Sequence, residues 1–296
     1  MSADSPRFGR VITAMITPFD ADGGFDPGAA AALAEWLVDH GSDGLVLAGT
    51  TGESPVLSAA EEDALATAVR RAVSVPLLLG TGSNDTAYAV RATARAADLG
   101  MDGVLVVGPY YNRPSQAGLE HYFRSVAAAT ELPMVLYDIP VRTGRKIAAS
   151  TILRLAHDVG NIVALKDAAG NPAETARLLR DAPDGFEVYS GDDPFTLPLL
   201  SVGAVGVISV ASHWVGRQMG EMIASHVKGD VVAAARLNAA LIESYDFESG
   251  DEAPNPMPTK AMLRVMGLAV GHCRPPMVSD PDGLETRARE VLAGLA

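Results

Sequence analysis

The sequence predicts an α/β chain closed as a (β/α)8 TIM barrel with a C-terminal helical appendage. Short apolar runs rich in β-formers alternate with longer Ala-rich helical patterns, which is the signature of βαβ units around a parallel sheet. About eight such units can be counted, at about 25–30 residues each, which favours closure into a barrel over an open sheet. The first strand is not followed by a Gly-x-Gly-x-x-Gly turn, which counts against a dinucleotide-binding fold.

The strand candidates in order are Val11–Thr17, Gly44–Leu47, Pro76–Gly80, Gly103–Val107, Met134–Asp138, Ile162–Lys166, Glu187–Ser190 and Val205–Ser209. Between them lie helical patterns at Pro27–His40, Ala59–Ala72, Thr86–Leu99, Leu119–Thr130, Ala148–His157 and Glu174–Asp181. Ser58, Asn84 and Asn171 stand where side-chain caps would open three of these helices. After Lys228-Gly229-Asp230 the strands stop. Three further helices are expected at Val231–Glu243, Thr259–Met266 and Leu284–Leu295, with a proline-rich loop at Ala253–Pro258. The expected division is therefore a barrel over residues 1–228 carrying the active site and a helical region over 229–296.

Composition narrows the function. Of 296 residues, 48% are hydrophobic and 20% charged, enough for a sizeable core. A formal charge of −13 argues against a nucleic-acid surface. The single cysteine, Cys273, cannot close an internal disulfide and points to a reducing compartment. The first ten residues carry no apolar signal-peptide core, and no run is long enough to cross a bilayer, so a cytoplasmic protein is expected. The six histidines are scattered without metal-ligand spacing, and no metal is expected. Asp192-Asp193, which could ligate Mg²⁺, precede Pro194 and read as a helix cap.

Barrel chemistry gathers at the C-terminal strand ends. The run Ile162–Lys166 ends a fully apolar strand in a lysine. Burial there would depress its pKa and leave an amine able to attack a carbonyl. A Schiff-base mechanism also needs a proton shuttle and a carboxylate site. Tyr137, on the preceding strand, could relay protons. Thr50 and Thr51, between Gly49 and Gly52, offer hydroxyls and N–H groups to a carboxylate. Arg142 offers a bidentate fork for a second one. Each motif alone has a plainer reading: a snorkelling lysine, a strand-to-helix turn, a packing pair at Tyr110-Tyr111, a solvated arginine. Their joint placement at successive strand ends is what those readings leave unexplained.

In order, Gly49-Thr50-Thr51-Gly52-Glu53, Pro109-Tyr110-Tyr111-Asn112-Arg113-Pro114, Tyr137-Asp138-Ile139-Pro140-x-Arg142, Leu165-Lys166-Asp167-Ala168, Ser190-Gly191-Asp192-Asp193 and Asn255-Pro256-x-Pro258-x-Lys260 resemble the dihydrodipicolinate synthase family of the N-acetylneuraminate lyase superfamily. The resemblance implies a Schiff base between Lys166 and pyruvate, and a proton relay of Tyr137, Thr50 and Tyr111, with Tyr111 reaching a neighbouring subunit's site. It implies that Thr51 holds the pyruvate carboxylate, that Arg142 receives L-aspartate 4-semialdehyde, and that Gly191 and Ile208 give backbone contacts. It further implies no organic cofactor and a homotetramer built as a dimer of dimers. Two other readings remain open: a sister aldolase acting on a sugar-derived 2-oxo acid, and a catalytically dead barrel. Feedback-regulated members bind L-lysine through histidines and a glutamate. Here Ser58-Ala59-Ala60-Glu61-Glu62 and Tyr88 stand in those places, while Ser54, Asn84 and Tyr110 match, which predicts weak or absent inhibition by L-lysine.

Overall fold

The structure, a computed structural model, describes residues 6–277 and 279–295. Eight parallel strands close into a barrel in sequence order. They are β1 (Val11–Ala14), β2 (Gly44–Leu47), β3 (Leu77–Gly80), β4 (Gly103–Val107), β5 (Met134–Asp138), β6 (Ile162–Asp167), β7 (Glu187–Ser190) and β8 (Gly206–Ser209). The runs are mostly apolar because both strand faces are covered, one by the barrel interior and one by helices, with polar residues at strand ends such as Asp138, Lys166, Asp167 and Glu187. The expected strand at Val11–Thr17 ends early: past Met15 its backbone turns away to His213, whose Nε2 accepts the Ile16 N–H (3.2 Å), and the Thr17 hydroxyl donates to the Gly52 carbonyl (2.6 Å).

The helices are α1 (Pro27–Asp39), α2 (Ala59–Ala72), α3 (Thr86–Ala96), α4 (Gln116–Ala127), α5 (Pro140–Thr143), α6 (Ala149–Asp158), α7 (Pro172–Asp181), α8 (Thr196–Leu200), α9 (Ser212–Val227), α10 (Val231–Phe247), α11 (Met257–Val265) and α12 (Leu284–Gly294). Ser58 opens α2 with a reciprocal capping box to Glu61, and Asn171 caps α7. Two expected caps are corrected. Asp85, not Asn84, caps α3 by accepting the Ala87 N–H, because it is Asp85 that has the extended backbone of a cap next to the first turn. Asp193 caps nothing: it is buried, and its Oδ2 accepts the N–H groups of Val210 (2.9 Å) and Ala211 (2.7 Å) in the loop after β8.

Three apolar clusters hold these layers. Phe8, Ile12, Val46, Leu78, Leu105, Val135, Ala164, Tyr189 and Ile208 fill the barrel, and Phe8 packs over Gly103 at its N-terminal end. A second cluster lies between the strands and helices α1 to α7. A third joins α9, α10, α11 and α12 around Trp214, Met219, Leu241, Tyr245 and Met262. No helix among the described residues is long and apolar enough to cross a membrane.

The C-terminal segment is tied to the loop after β2 by a buried ion pair. Glu53 takes a left-handed backbone conformation (φ 57°), which turns its carboxylate inward. There it meets Lys260 Nζ at 2.6 Å and accepts the Arg274 N–H at 2.9 Å. Lys260 also donates to the His272 carbonyl (3.0 Å) and lies 4.0 Å from the centre of the Phe19 ring. Removing one partner of such a pair leaves an uncompensated buried charge. Lys260→Met is expected to destabilise the fold by about 3–5 kcal/mol in urea titrations, and adding Glu53→Gln to restore part of the loss.

Candidate active site

Each of the chemistry-bearing side chains comes from a strand end or the loop behind it. In β5 and β6, Tyr137 pairs in register with Lys166, and Asp138 with Asp167. Successive strand residues face opposite ways. Tyr137 and Lys166 therefore point into the barrel, while the two aspartates point outward. Asp138 accepts from Lys146 Nζ and the Ile147 N–H, and Asp167 from the Thr175 hydroxyl (2.6 Å). These outward contacts hold both strand ends against the helical layer.

Inside the mouth, Lys166, Tyr137, Thr50, Thr51 and Arg142 line one cavity of about 210 Å³, walled by Ala14, Val46, Leu105 and Val107. Lys166 and Tyr137 are buried, with Nζ 4.2 Å from the centre of the Tyr137 ring. Burial lowers the Lys166 pKa to about 8, against the opposing pull of nearby acids, Asp193 foremost, while Arg142 lowers it further. Burial also raises the Tyr137 pKa, so its hydroxyl stays protonated and can give up and regain a proton without resting as an anion. Arg142 and Thr50, in the same cavity, oppose that rise. Gly191 packs directly on Lys166: a Cβ there would lie 2.8 Å from Lys166 Cγ.

Three expected site residues, Gly191, Ile208 and Tyr111, lie apart from the cavity wall, Gly191 packed on Lys166 as just described. Ile208 sits on β8 in the barrel core. Tyr111 has a left-handed backbone (φ 68°) and is 89% exposed, so its ring projects away from this chain, while Tyr110 lines the cavity. One contributor was not singled out from sequence. Asn255 Nδ2 donates to Thr51 Oγ1 (3.1 Å) and fixes that hydroxyl. The pair is 204 residues apart, and only the proline-flanked Asn255-Pro256 motif hinted at it.

A parallel barrel with a buried amine, a neighbouring phenol and paired threonine hydroxyls at its mouth defines a (β/α)8 protein equipped for lysine-based chemistry on a small acid. The dihydrodipicolinate synthetase family model matches residues 7–293, and the chain belongs to that family. It is 48% identical over 274 residues to a 4-hydroxy-tetrahydrodipicolinate synthase of Moorella thermoacetica, covering 92% of this chain and 93% of that one. It is 50% identical to the protein of the same name in a Synechococcus species, covering 98% and 97%. Among solved structures, a lysine-bound dihydrodipicolinate synthase from Cyanidioschyzon merolae superposes with a TM-score of 0.95 at 43% identity, covering 98% of this chain and 99% of that one.

The depressed pKa has a direct readout. The acylation rate of Lys166, measured by competitive labelling against pH, is expected to rise with a midpoint near 8. An exposed lysine would give a midpoint of about 10.4.

Proposed function

We propose that this chain is a lyase that condenses pyruvate, held as a Schiff base on Lys166, with L-aspartate 4-semialdehyde to give 4-hydroxy-tetrahydrodipicolinate in lysine and diaminopimelate biosynthesis. The observation that carries this reading is the buried Lys166 amine, with a pKa near 8, sharing one small cavity with Tyr137, Thr50 and Thr51. The names of its relatives support the same reaction.

The amine of Lys166 attacks C2 of pyruvate, and water leaves to give a cationic iminium. Loss of a C3 proton gives the enamine, whose C3 attacks the aldehyde carbon of the second substrate. That substrate's amine then attacks C2, and ring closure releases Lys166. Tyr137 and Thr50, which line one cavity with Lys166, serve as the proton relay. Thr51, steadied by Asn255, holds the pyruvate carboxylate. Arg142, exposed at the rim of the cavity, receives the second carboxylate. Gly191 and Ile208 contribute backbone contacts around pyruvate. Tyr111 completes the relay of a neighbouring subunit. Its exposure and its left-handed backbone support that assignment, since such a conformation is costly for a bulky side chain. The assembly that uses it is a homotetramer, a dimer of dimers, working in the cytoplasm.

Weak or absent feedback is part of the proposal. In the side cavity formed with Ser54, Ser83 and Tyr110, the Glu62 carboxylate already accepts from Tyr88 (3.0 Å) and Arg95 (3.1 Å). A ligand ammonium would have to compete with those donors.

An assay with pyruvate and aspartate semialdehyde, coupled to reduction of the product, is expected to give turnover that survives millimolar L-lysine. Borohydride with pyruvate is expected to trap an adduct on Lys166, lost in Lys166→Ala. Turnover only with N-acetylneuraminate or a 2-oxo-3-deoxy sugar acid would transfer the protein to the sister-aldolase reading. Half-inhibition by sub-millimolar lysine would refute the regulatory part alone.

A further inference from the structure

Near Lys166, past Gly191, two acids that do not line the cavity come together. Asp193 follows β7 by three residues and is 1% exposed. Its Oδ2 is occupied by the N–H groups of Val210 and Ala211, and its Oδ1 is sealed from solvent without a donor. Glu248 closes the C-terminal end of α10 and lies within hydrogen-bonding reach of Asp193. Its Oε2 is likewise sealed and without a donor. Glu248 is half-buried, but its Oε2 and the Asp193 Oδ1 are both sealed. Two ionised carboxylates with sealed oxygens close together are mutually destabilising, and a proton between them removes both the repulsion and the missing donor.

We propose that Glu248 is protonated at neutral pH and donates to Asp193, so that the pair presents one fixed negative charge to Lys166, the counter-charge for its iminium. Both act as positioning residues, and the inference rests on the Schiff-base reading above. Burial and Asp193 both push the Glu248 pKa well above the carboxylate range, in the direction the geometry requires.

Three other titratable groups surround the pair. Asp192, on the same loop, has its pKa raised by burial and by Asp193. Tyr245, from α10, has its pKa raised by burial and stays a neutral phenol. His213, from α9, is lowered by burial to about 4 and is neutral, with Nε2 accepting the Ile16 N–H. Lys166 is the cation the charge serves. A second charge would push the Lys166 pKa back up from about 8. With none, the iminium would form without electrostatic support.

The arrangement also links two parts of the chain. Asp193 fastens the loop after β7, which carries Gly191 against Lys166, to the loop after β8. Glu248 brings the end of a C-terminal helix onto that fastening.

The test is an asymmetry between two isosteric variants of the whole enzyme. Glu248→Gln keeps a neutral donor and one charge. The acid limb of pyruvate-dependent borohydride trapping should stay in place. Asp193→Asn removes the charge, and the limb should move down by about one pH unit or more, with trapping at saturating pH slowed by about tenfold. Equal displacement by both variants would mean that both acids are ionised, and would overturn the proposal. Infrared difference spectra of the enzyme against Glu248→Gln, near pH 8, should show a protonated-carboxyl C=O band present only in the unsubstituted enzyme. Absence of that band overturns the proposal, as does activity that requires an added monovalent cation. If the unsubstituted enzyme traps no pyruvate on Lys166, the Schiff-base reading fails instead, and the infrared band still decides the carboxyl pair.

Discussion

The parallel register of β5 against β6 is the constraint on which the rest of the site depends. Setting Tyr137 opposite Lys166 also sets Asp138 opposite Asp167. Because side chains alternate along a strand, one pairing faces inward as chemistry and the next faces outward as anchorage. A slip of one residue would exchange the two layers. It would put carboxylates in the cavity and the amine among the helices. The outward hydrogen bonds from Asp138 to Ile147 and Lys146, and from Thr175 to Asp167, therefore help specify the geometry that Lys166 needs.

The chain buries two lysines and treats them differently. Lys260 meets Glu53 at 2.6 Å, donates to a backbone carbonyl and lies beside an aromatic ring. Its charge is matched, and its role is to clamp the loop after β2 to the C-terminal segment. Lys166 has no carboxylate within ion-pair distance among the described residues. It has a phenol ring beside it and acids farther behind. Desolvation then outweighs the distant attraction, and its pKa falls to about 8. Partner distance separates the clamp from the nucleophile.

How much of this was legible in the sequence follows from which interactions are local. The eight strands, their order and the C-terminal helices were readable because apolar runs and helical periodicity are local signals. Lys166, Tyr137, Thr50, Thr51 and Arg142 were readable as a group because barrel strand ends converge, and the structure brings all five to one cavity. Two of the departures are non-local and one is local. Asp193 reads as a helix cap because Pro194 follows it, yet its donors are the N–H groups of Val210 and Ala211. Asn255 supports Thr51 across 204 residues, beyond any spacing rule. The cap of α3 moved from Asn84 to Asp85, a difference of one residue that backbone geometry decides.

The central claim is that Lys166 is the covalent seat of pyruvate. A crystal structure of the enzyme grown with pyruvate tests it most directly. The account predicts continuous density from Lys166 Nζ to C2 of pyruvate, with the carboxylate against Thr50 and Thr51 and the methyl carbon facing Tyr137. Pyruvate bound without a bond to Lys166, or bonded with its carboxylate turned away from the threonines, would contradict it.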